Sequence, residues 1–142
     1  MMFTLGTSKA YGSRELYGMD IFDVREILQT PVLTTVPSAP VGVKGMVSLR
    51  GVIIPVLALA ELMGQETASN NTIMIVAEHQ SRMLAMLVDT VDNIVRLDES
   101  KLRQAPPMLT SGHLKSIADL DDGRLLQVLD MGSVLSRYKP DD

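Results

Sequence analysis

The chain has 142 residues, 46% of them hydrophobic, which is enough for one ordinary domain with its own apolar core. A net charge of −4, without any long run of Lys or Arg, argues against nucleic acid as a partner. The absence of cysteine excludes disulfides, thiolate metal sites and a thiol nucleophile. Because the start lacks the features of a secretory signal and the longest apolar run (52–60) is about half a membrane span, we expect a cytoplasmic protein without direct membrane insertion.

The first predicted elements are a hairpin and a helix. The pattern predicts strands at "MFTL" and "YGMDI", with the polar loop "GTSKAYGSREL" between them. Apolar residues then recur at helical spacing from Ile21 to Leu28, where Asp20 can cap a helix and Pro31 can end it. We therefore predict one short amphipathic helix, whose polar face carries Asp23, Arg25, Glu26 and Gln29.

Two hairpins are predicted in the middle of the chain. Residues 46–50 and 52–57 form two strand-like runs that meet at Arg50-Gly51, a dipeptide suited to a tight turn. "LAELMG" follows as a short helix that ends at a glycine. "NTIMIVAE" and "RMLAMLVDTV" form the second hairpin, with "HQS" as its turn.

The last third repeats this alternation of strands and turns. "NIVRLD" extends a strand, "SKLRQAPP" ends it, and "HLKSIADLDDGRLLQVLDMGSVLSRY" predicts strand, turn, strand and short helix. The total of about nine or ten short strands and two or three short helices favours a mostly β chain folded as two small barrels.

The sequence contains no recognisable catalytic motif. We expect His79 and His113 to be solvated loop histidines, since neither has a second ligand at metal-binding spacing. Asp89 and Asp92 are more typical of turn carboxylates than of an acid and base pair. The serines and glycines form no nucleophile elbow or phosphate-binding loop. The function is therefore expected to depend on a surface, and no cofactor or metal is expected.

Four stretches together resemble the chemotaxis coupling-protein family CheW, in that family's order and spacing. They are "LYGMDIFDVREIL", "GVKGMVSLRGVIIPVLAL", "AMLVDTVDNIVRL" and "LLQVLDMGSVL", and the resemblance covers residues 3–136. Details such as "SIADLDDGRLLQVLD" are most similar to the coupling domain of CheV, a relative in which a receiver domain follows. One departure is Ala58, where many members have an aspartate.

The resemblance implies a fold and a role. The fold is mostly β, with two packed five-stranded SH3-like β-barrel subdomains and short helices, intertwined in a single CheW-like domain over residues 1–142 without a receiver domain. The role is a non-catalytic adaptor that couples the cytoplasmic tip of methyl-accepting chemoreceptors to the regulatory domain of the histidine kinase CheA. Such a protein reaches membrane-associated receptor arrays through its partners.

The resemblance also suggests residues for each partner. Receptor binding is expected at Val24, Glu26, Gly45 and Arg50. Kinase binding is assigned loosely to Ile73, Ile75 and Ala77. Two other interpretations stay open: the regulatory domain of a CheA-type kinase, and the coupling half of a CheV protein whose receiver is absent.

Arg50 is a charged residue inside an apolar stretch. Because a guanidinium keeps its charge, this side chain must reach water, a carboxylate or a partner. The resemblance brings the segment around Glu26 next to the hairpin, so we predict an Arg50–Glu26 ion pair across the receptor groove. The alternative is an Arg50 side chain that extends freely into water.

Overall fold

The computed structural model describes residues 2–7, 14–40, 42–62, 73–91, 94, 97, 99–104, 113–121 and 123–137. These residues form eleven strands, two short α-helices and two 3₁₀ turns. The strands are β1 (Met2–Thr7), β2 (Arg14–Gly18), β3 (Val24–Gln29), β4 (Val43–Leu49), β5 (Val52–Ala58), β6 (Ile73–His79), β7 (Arg82–Val88), β8 (Thr90–Val91), β9 (Leu102–Gln104), β10 (Leu114–Asp119) and β11 (Leu125–Leu129). The helices are α1 (Leu59–Leu62) and α2 (Met131–Arg137), and the 3₁₀ turns span Ile21–Asp23 and Glu99–Lys101.

The strands form two sheets, one for each subdomain. The first subdomain has the order β8-β1-β2-β11-β10-β9 and joins the two ends of the chain through the parallel pair β2 and β11. The second has the order β3-β6-β7-β5-β4 and comes from one continuous part of the chain. The predicted mostly β fold with two barrel-like subdomains is confirmed. The first sheet has six strands rather than five because the two-residue β8 pairs with β1.

Strands β6 and β7 are buried on both faces and supply two cores. Ile75 and Ala77 belong to a core that both subdomains share with α1 and α2. Met74 and Val76, which point the other way, belong to the core of the second subdomain. A smaller core in the first subdomain centres on Leu126. The near-continuous apolar sequence of β6 follows from this double burial.

Both predicted central hairpins are present, and each turns through two residues with positive φ. Arg50 and Gly51 have φ of 49° and 81°, and Gln80 and Ser81 have φ of 52° and 67°. Two-residue turns of this kind match the right-handed twist of the flanking strands. The second turn is shorter than predicted, because His79 is the last residue of β6.

The predicted helix around Val24 is wrong. Asp20 does cap a turn there, its Oδ1 accepting the Phe22 N–H at 3.0 Å, but the turn is 3₁₀ and ends at Asp23. Strand β3 then begins and pairs antiparallel with β6. Half-buried and exposed residues alternate along β3, which is the period of a strand.

The prediction of solvated loop histidines is also wrong. His113 is 2% exposed, and its backbone carbonyl accepts the N–H of Asp130 at 2.7 Å. The His79 side chain is 30% exposed, and its Nδ1 lies 3.0 Å from Oδ1 of Asp23. Both histidines therefore help to join elements: His79 links β6 to the 3₁₀ turn before β3.

Most of the remaining elements agree with the sequence pattern where they are described. The predicted strand extension "NIVRLD" is wrong at its described residues, because Ile94 and Leu97 are not in a strand, and the segment predicted to end that strand contains β9 instead. The closing strand, turn, strand and helix correspond to β10, β11 and α2. Strand β1 is longer than predicted, because it extends to Thr7, whereas β2 has the predicted length but begins earlier, at Arg14, and ends earlier, at Gly18. The middle of the predicted loop between them (8–13), the glycine end of α1 at Gly64 and the prolines at 106–107 lie outside the described residues.

Candidate partner-binding surface

Glu26 and Arg50 form the predicted ion pair, and two hydrogen bonds hold it. Arg50 Nη1 donates to Glu26 Oε2 at 2.6 Å, and Nη2 donates to Oε1 at 3.0 Å. The arginine side chain is 70% exposed and the glutamate side chain 28% exposed. A two-point contact between planar groups fixes orientation as well as distance. The pair therefore ties the tip of the β4–β5 hairpin to strand β3.

The two paired residues lie at opposite ends of the sheet order. Glu26 is on the edge strand β3, and Arg50 is in the turn that joins β5 to the other edge strand, β4. The chain between β3 and β4 brings these edges together. Thr34 pairs with Met46 in an isolated bridge, with N–H···O distances of 3.0 and 2.8 Å. Closure of the second barrel thus brings Arg50 within reach of Glu26.

Gly45 lies at this closure. A Cβ built on Gly45 would collide with the backbone carbonyl oxygen of Thr34 and would lie 3.4 Å from Cβ of Leu33. Because a backbone atom cannot swing away as a flexible side chain can, only glycine fits here. The structure therefore assigns Gly45 a role in closing the barrel, a role that the sequence motif did not indicate.

A β-bulge at Arg25 separates Val24 from Glu26. Val24 pairs with Ala77, and Glu26 pairs with Val76, so that the register shifts by one residue between them. Val24 packs against the shared core. The bulged residue, Arg25, pairs with Glu78 at 2.7 Å. The structure thus brings Glu26 and Arg50 together but directs Val24 toward the opposite face of the sheet.

The ion pair shifts the pKa of both partners toward their charged forms. Hydrogen bonding to Arg50 lowers the pKa of Glu26 below its ordinary value, with a smaller opposing effect of burial and additional lowering by the charges of Arg50 and Arg25. The hydrogen bond to Glu26 and its charge raise the pKa of Arg50. Glu26 is therefore negatively charged at neutral pH.

The three residues loosely assigned to kinase binding lie on β6, and two of these assignments need correction. Ile75 and Ala77 are 0% exposed in the shared core, on a strand flanked by β3 and β7. A side chain buried in this way cannot contact a partner directly. Ile73, at the start of the strand, is half buried and stays a prediction.

Sequence reasoning missed the exposed apolar side chains next to the hairpin turn. Val52 is 47% exposed and Ile53 is 69% exposed, immediately after Gly51. Ile27 on β3 is 46% exposed. The sequence pattern assigned Val52 and Ile53 only to a strand. Their position directly after a turn was the detectable signal of exposure, because connecting segments lie on the protein surface.

No helix within the described ranges is long and apolar enough to cross a bilayer.

The described chain forms two small barrels with a shared core, and its surface carries ion pairs and exposed apolar residues. Comparison with known proteins supplies the family. The model of the CheW-like domain matches residues 1–139. The chain therefore belongs to the CheW-like family, whose members act as scaffolds in chemotaxis.

Individual relatives agree with this membership. The chemotaxis protein CheW of Klebsiella aerogenes is 32% identical to this chain, in an alignment that covers 96% of this chain and 80% of that protein. Chemotaxis protein CheV3 of Helicobacter pylori is 25% identical, with 92% of this chain but 46% of CheV3 covered. The crystal structure of the scaffolding protein TtCheW from Thermoanaerobacter tengcongensis superposes with a TM-score of 0.77 at 28% identity, covering 91% of this chain and 87% of that one.

Proposed function

We propose that this chain is a non-catalytic adaptor that couples the cytoplasmic tip of methyl-accepting chemoreceptors to the regulatory domain of the histidine kinase CheA. Membership of the CheW-like family supports a scaffold role in chemotaxis. The adaptor would work in the cytoplasm, at membrane-associated receptor arrays that it reaches through its partners. Residues 1–142 would act as one domain made of two intertwined subdomains.

The observation that supports a receptor surface is the two-point ion pair between Glu26 and Arg50. The pair holds the hairpin tip against strand β3, and the exposed Val52 and Ile53 follow directly after that tip. An amphipathic receptor helix can lay its apolar stripe against such a surface, with polar groups at the rim. Preorganised surfaces bind more tightly because less ordering is needed on association.

Arg50 adopts the left-handed conformation at a turn position where Asn, Asp or Gly would fit better. The turn itself gives no reason for an arginine. Strained backbone conformations are common at functional sites, where the strained residue makes a specific contact. This supports a role for Arg50 in presenting the receptor surface rather than in stabilising the hairpin.

Val24 and Gly45 would support the proposed receptor surface from within the fold and would not contact the receptor themselves. Val24 packs against the shared core, and Gly45 permits barrel closure. For CheA, we propose a separate surface near Ile73, where β6 begins. Two distinct surfaces would allow both partners to bind at once.

A second candidate is the coupling half of a CheV protein. The similarity to CheV3, of which this chain spans 46%, favours it. In that case the same receptor and kinase surfaces would operate within a longer protein.

The test is a pull-down with three purified components: this chain, a chemoreceptor signalling-tip fragment and the CheA regulatory domain. Arg50→Glu and Glu26→Arg should each reduce receptor capture and leave CheA capture intact, and the double exchange should recover part of the loss. A matched control reverses another exposed ion pair, Arg103 and Asp119 in the first subdomain. That exchange should leave receptor capture unchanged. Losses that simply add in the double variant would contradict a working pair.

A further inference from the structure

His79 lies where three elements meet: the end of β6, the 3₁₀ turn before β3 and the first turn of α2. Its Nδ1 donates to Oδ1 of Asp23 at 3.0 Å, since a carboxylate oxygen can only accept a hydrogen bond. A Cβ built on Gly132 in α2 would lie 3.4 Å from Nε2 of His79. One ring nitrogen is therefore bonded to the turn that leads into β3, and the other lies beside the helix that follows β11.

The backbone of His79 is held firmly by its own hairpin. His79 is the last residue of β6 and pairs with Arg82, the first residue of β7. The two residues between them, Gln80 and Ser81, both have positive φ. A two-residue turn of this kind fixes the register of the strands that it joins. His79 is therefore a fixed point from which a side chain can hold a neighbouring segment.

The turn that His79 contacts is not anchored by apolar burial. None of its three residues is buried, and Phe22 is 91% exposed. Asp20 accepts the Phe22 N–H through its side chain and the Asp23 N–H through its backbone carbonyl, each at 3.0 Å. These two bonds only close the turn on itself. The bond from Asp23 to His79 attaches the turn to β6.

The β-bulge makes the start of β3 depend on side-chain contacts. The register of β3 on β6 shifts at Arg25, where the regular ladder is disrupted, and Glu26 is the next residue. Two side-chain pairs join this segment to β6. In the Arg25–Glu78 pair the side chains are 51% and 35% exposed, whereas in the Asp23–His79 pair they are 19% and 30% exposed. Because exposed ion pairs contribute little, we expect the Asp23–His79 contact to hold the segment more firmly.

We propose that His79 is a positioning residue for the Glu26–Arg50 surface. By holding Asp23, it fixes the start of β3, so that the Glu26 carboxylate meets both donor groups of Arg50. A two-point contact tolerates little displacement, because each N–H must stay aligned with its own oxygen. The importance of this positioning for receptor binding rests on the proposed adaptor function.

The test follows the Glu26 carboxyl by ¹³C-detected titration of the full chain. The hydrogen bond from Arg50 lowers the pKa of Glu26, so the titration midpoint reports how well the two side chains meet. His79→Phe keeps an aromatic ring but removes the donor, and Asp23→Ala removes the acceptor. Each should raise the midpoint, and the double variant should raise it no further. His79→Asn, which keeps an N–H donor at the δ position, should leave the midpoint low.

General effects on charge or stability would not give this result. Removal of the Asp23 carboxylate takes away a like charge and by itself would lower the pKa of Glu26 further. The midpoint is measured on the folded chain, so a smaller free energy of unfolding does not move it. Lys101→Met, which breaks an exposed ion pair with Asp121 in the first subdomain, is the matched control and should leave the midpoint unchanged.

Unchanged Glu26 midpoints in both His79→Phe and Asp23→Ala would overturn the positioning role. Shifts that add in the double variant would also overturn it, as would an equal shift in Lys101→Met. A midpoint in His79→Asn as high as in His79→Phe would assign the effect to the ring and not to the hydrogen bond, which would likewise overturn the proposal.

Receptor affinity is measured separately by isothermal titration calorimetry with a signalling-tip fragment. His79→Phe should lower this affinity by about three- to tenfold, as expected when a preorganised surface loses one ordering contact. A raised Glu26 midpoint with unchanged receptor affinity would support the positioning role and contradict the proposed receptor surface. A lower receptor affinity with an unchanged midpoint would overturn the positioning role and make His79 a direct contact.

Discussion

Gly45→Ala tests how the second barrel is closed. The added methyl group would collide with the Thr34 carbonyl oxygen, which accepts a hydrogen bond from Met46 N–H across the closure. Since the methyl group is fixed to its Cα and the carbonyl oxygen belongs to the backbone, the clash can be relieved only by separating the two segments. The substitution should therefore open the barrel at this bridge.

The expected loss follows from the contacts at the bridge. Separation breaks both Thr34–Met46 hydrogen bonds, each with a net contribution of about 1 kcal/mol. It also loosens Leu33, which packs against the second core, at a cost of about 1 kcal/mol of apolar contact. We expect Gly45→Ala to lower the free energy of unfolding by about 3 kcal/mol, which is a large share of the stability of a small domain.

Urea denaturation followed by far-ultraviolet circular dichroism measures this change. Gly123→Ala is the matched control, because Gly123 has a φ of 86° and no atom lies within 4 Å of its Cβ position. The control loses only the backbone preference of glycine, about 1 kcal/mol. A loss at Gly45 no larger than that at Gly123 would refute the closure argument. If the stability loss at Gly45 were this small and receptor binding still fell, Gly45 would be a direct receptor contact.

Three further outcomes are expected. In a ¹³C-detected titration, the Glu26 carboxyl should protonate at a lower pH than an ordinary glutamate. The contribution of the pair to folding stability is therefore fully present above the ordinary pKa and is lost as the pH falls through the lowered pKa. Arg50→Asn should move the titration midpoint back up, and an unchanged midpoint would argue against the pair. Val24→Asp should lower the melting temperature and weaken the binding of both receptor and CheA, because it places a charge against the shared core at a cost of about 2 kcal/mol or more. Loss of receptor binding alone would make Val24 a contact residue. Incubation with phosphorylated CheA should leave no stable phosphate label on this chain, and a stable label would contradict a non-catalytic adaptor.

The hairpins could be predicted from the sequence because their signals are local. Alternating apolar runs around Arg50-Gly51 have few other solutions than two strands and a tight turn. Strand β3 could not be predicted in the same way. Its apolar residues fit helical spacing because Glu26 occupies a half-buried position between Val24 and Leu28, and the apolar Ile27 occupies an exposed one. Pairing with β6, which is distant in sequence, decides the outcome.

The ion pair could be predicted, but the burial of its surroundings could not. A permanent charge beside an apolar run needs a partner, and this reduced the choices for Arg50 to very few. Ile75 was assigned to a surface, since nothing in its own sequence shows that β6 lies between β3 and β7. His79 was similarly assigned to solvent, although the fold brings Asp23 to it from a turn 56 residues away. Both depend on topology rather than on local pattern.

The most direct test of the adaptor account is the affinity of Arg50→Asn for a receptor signalling-tip fragment, measured by isothermal titration calorimetry beside a thermal melt. Asparagine suits the left-handed turn better than arginine, so the melting temperature should stay the same or rise. We expect receptor affinity to fall by about tenfold or more, the typical cost of losing an interface residue that contributes strongly to binding, while affinity for the CheA regulatory domain is kept. Unchanged receptor affinity in a stably folded Arg50→Asn variant would contradict the proposed receptor surface.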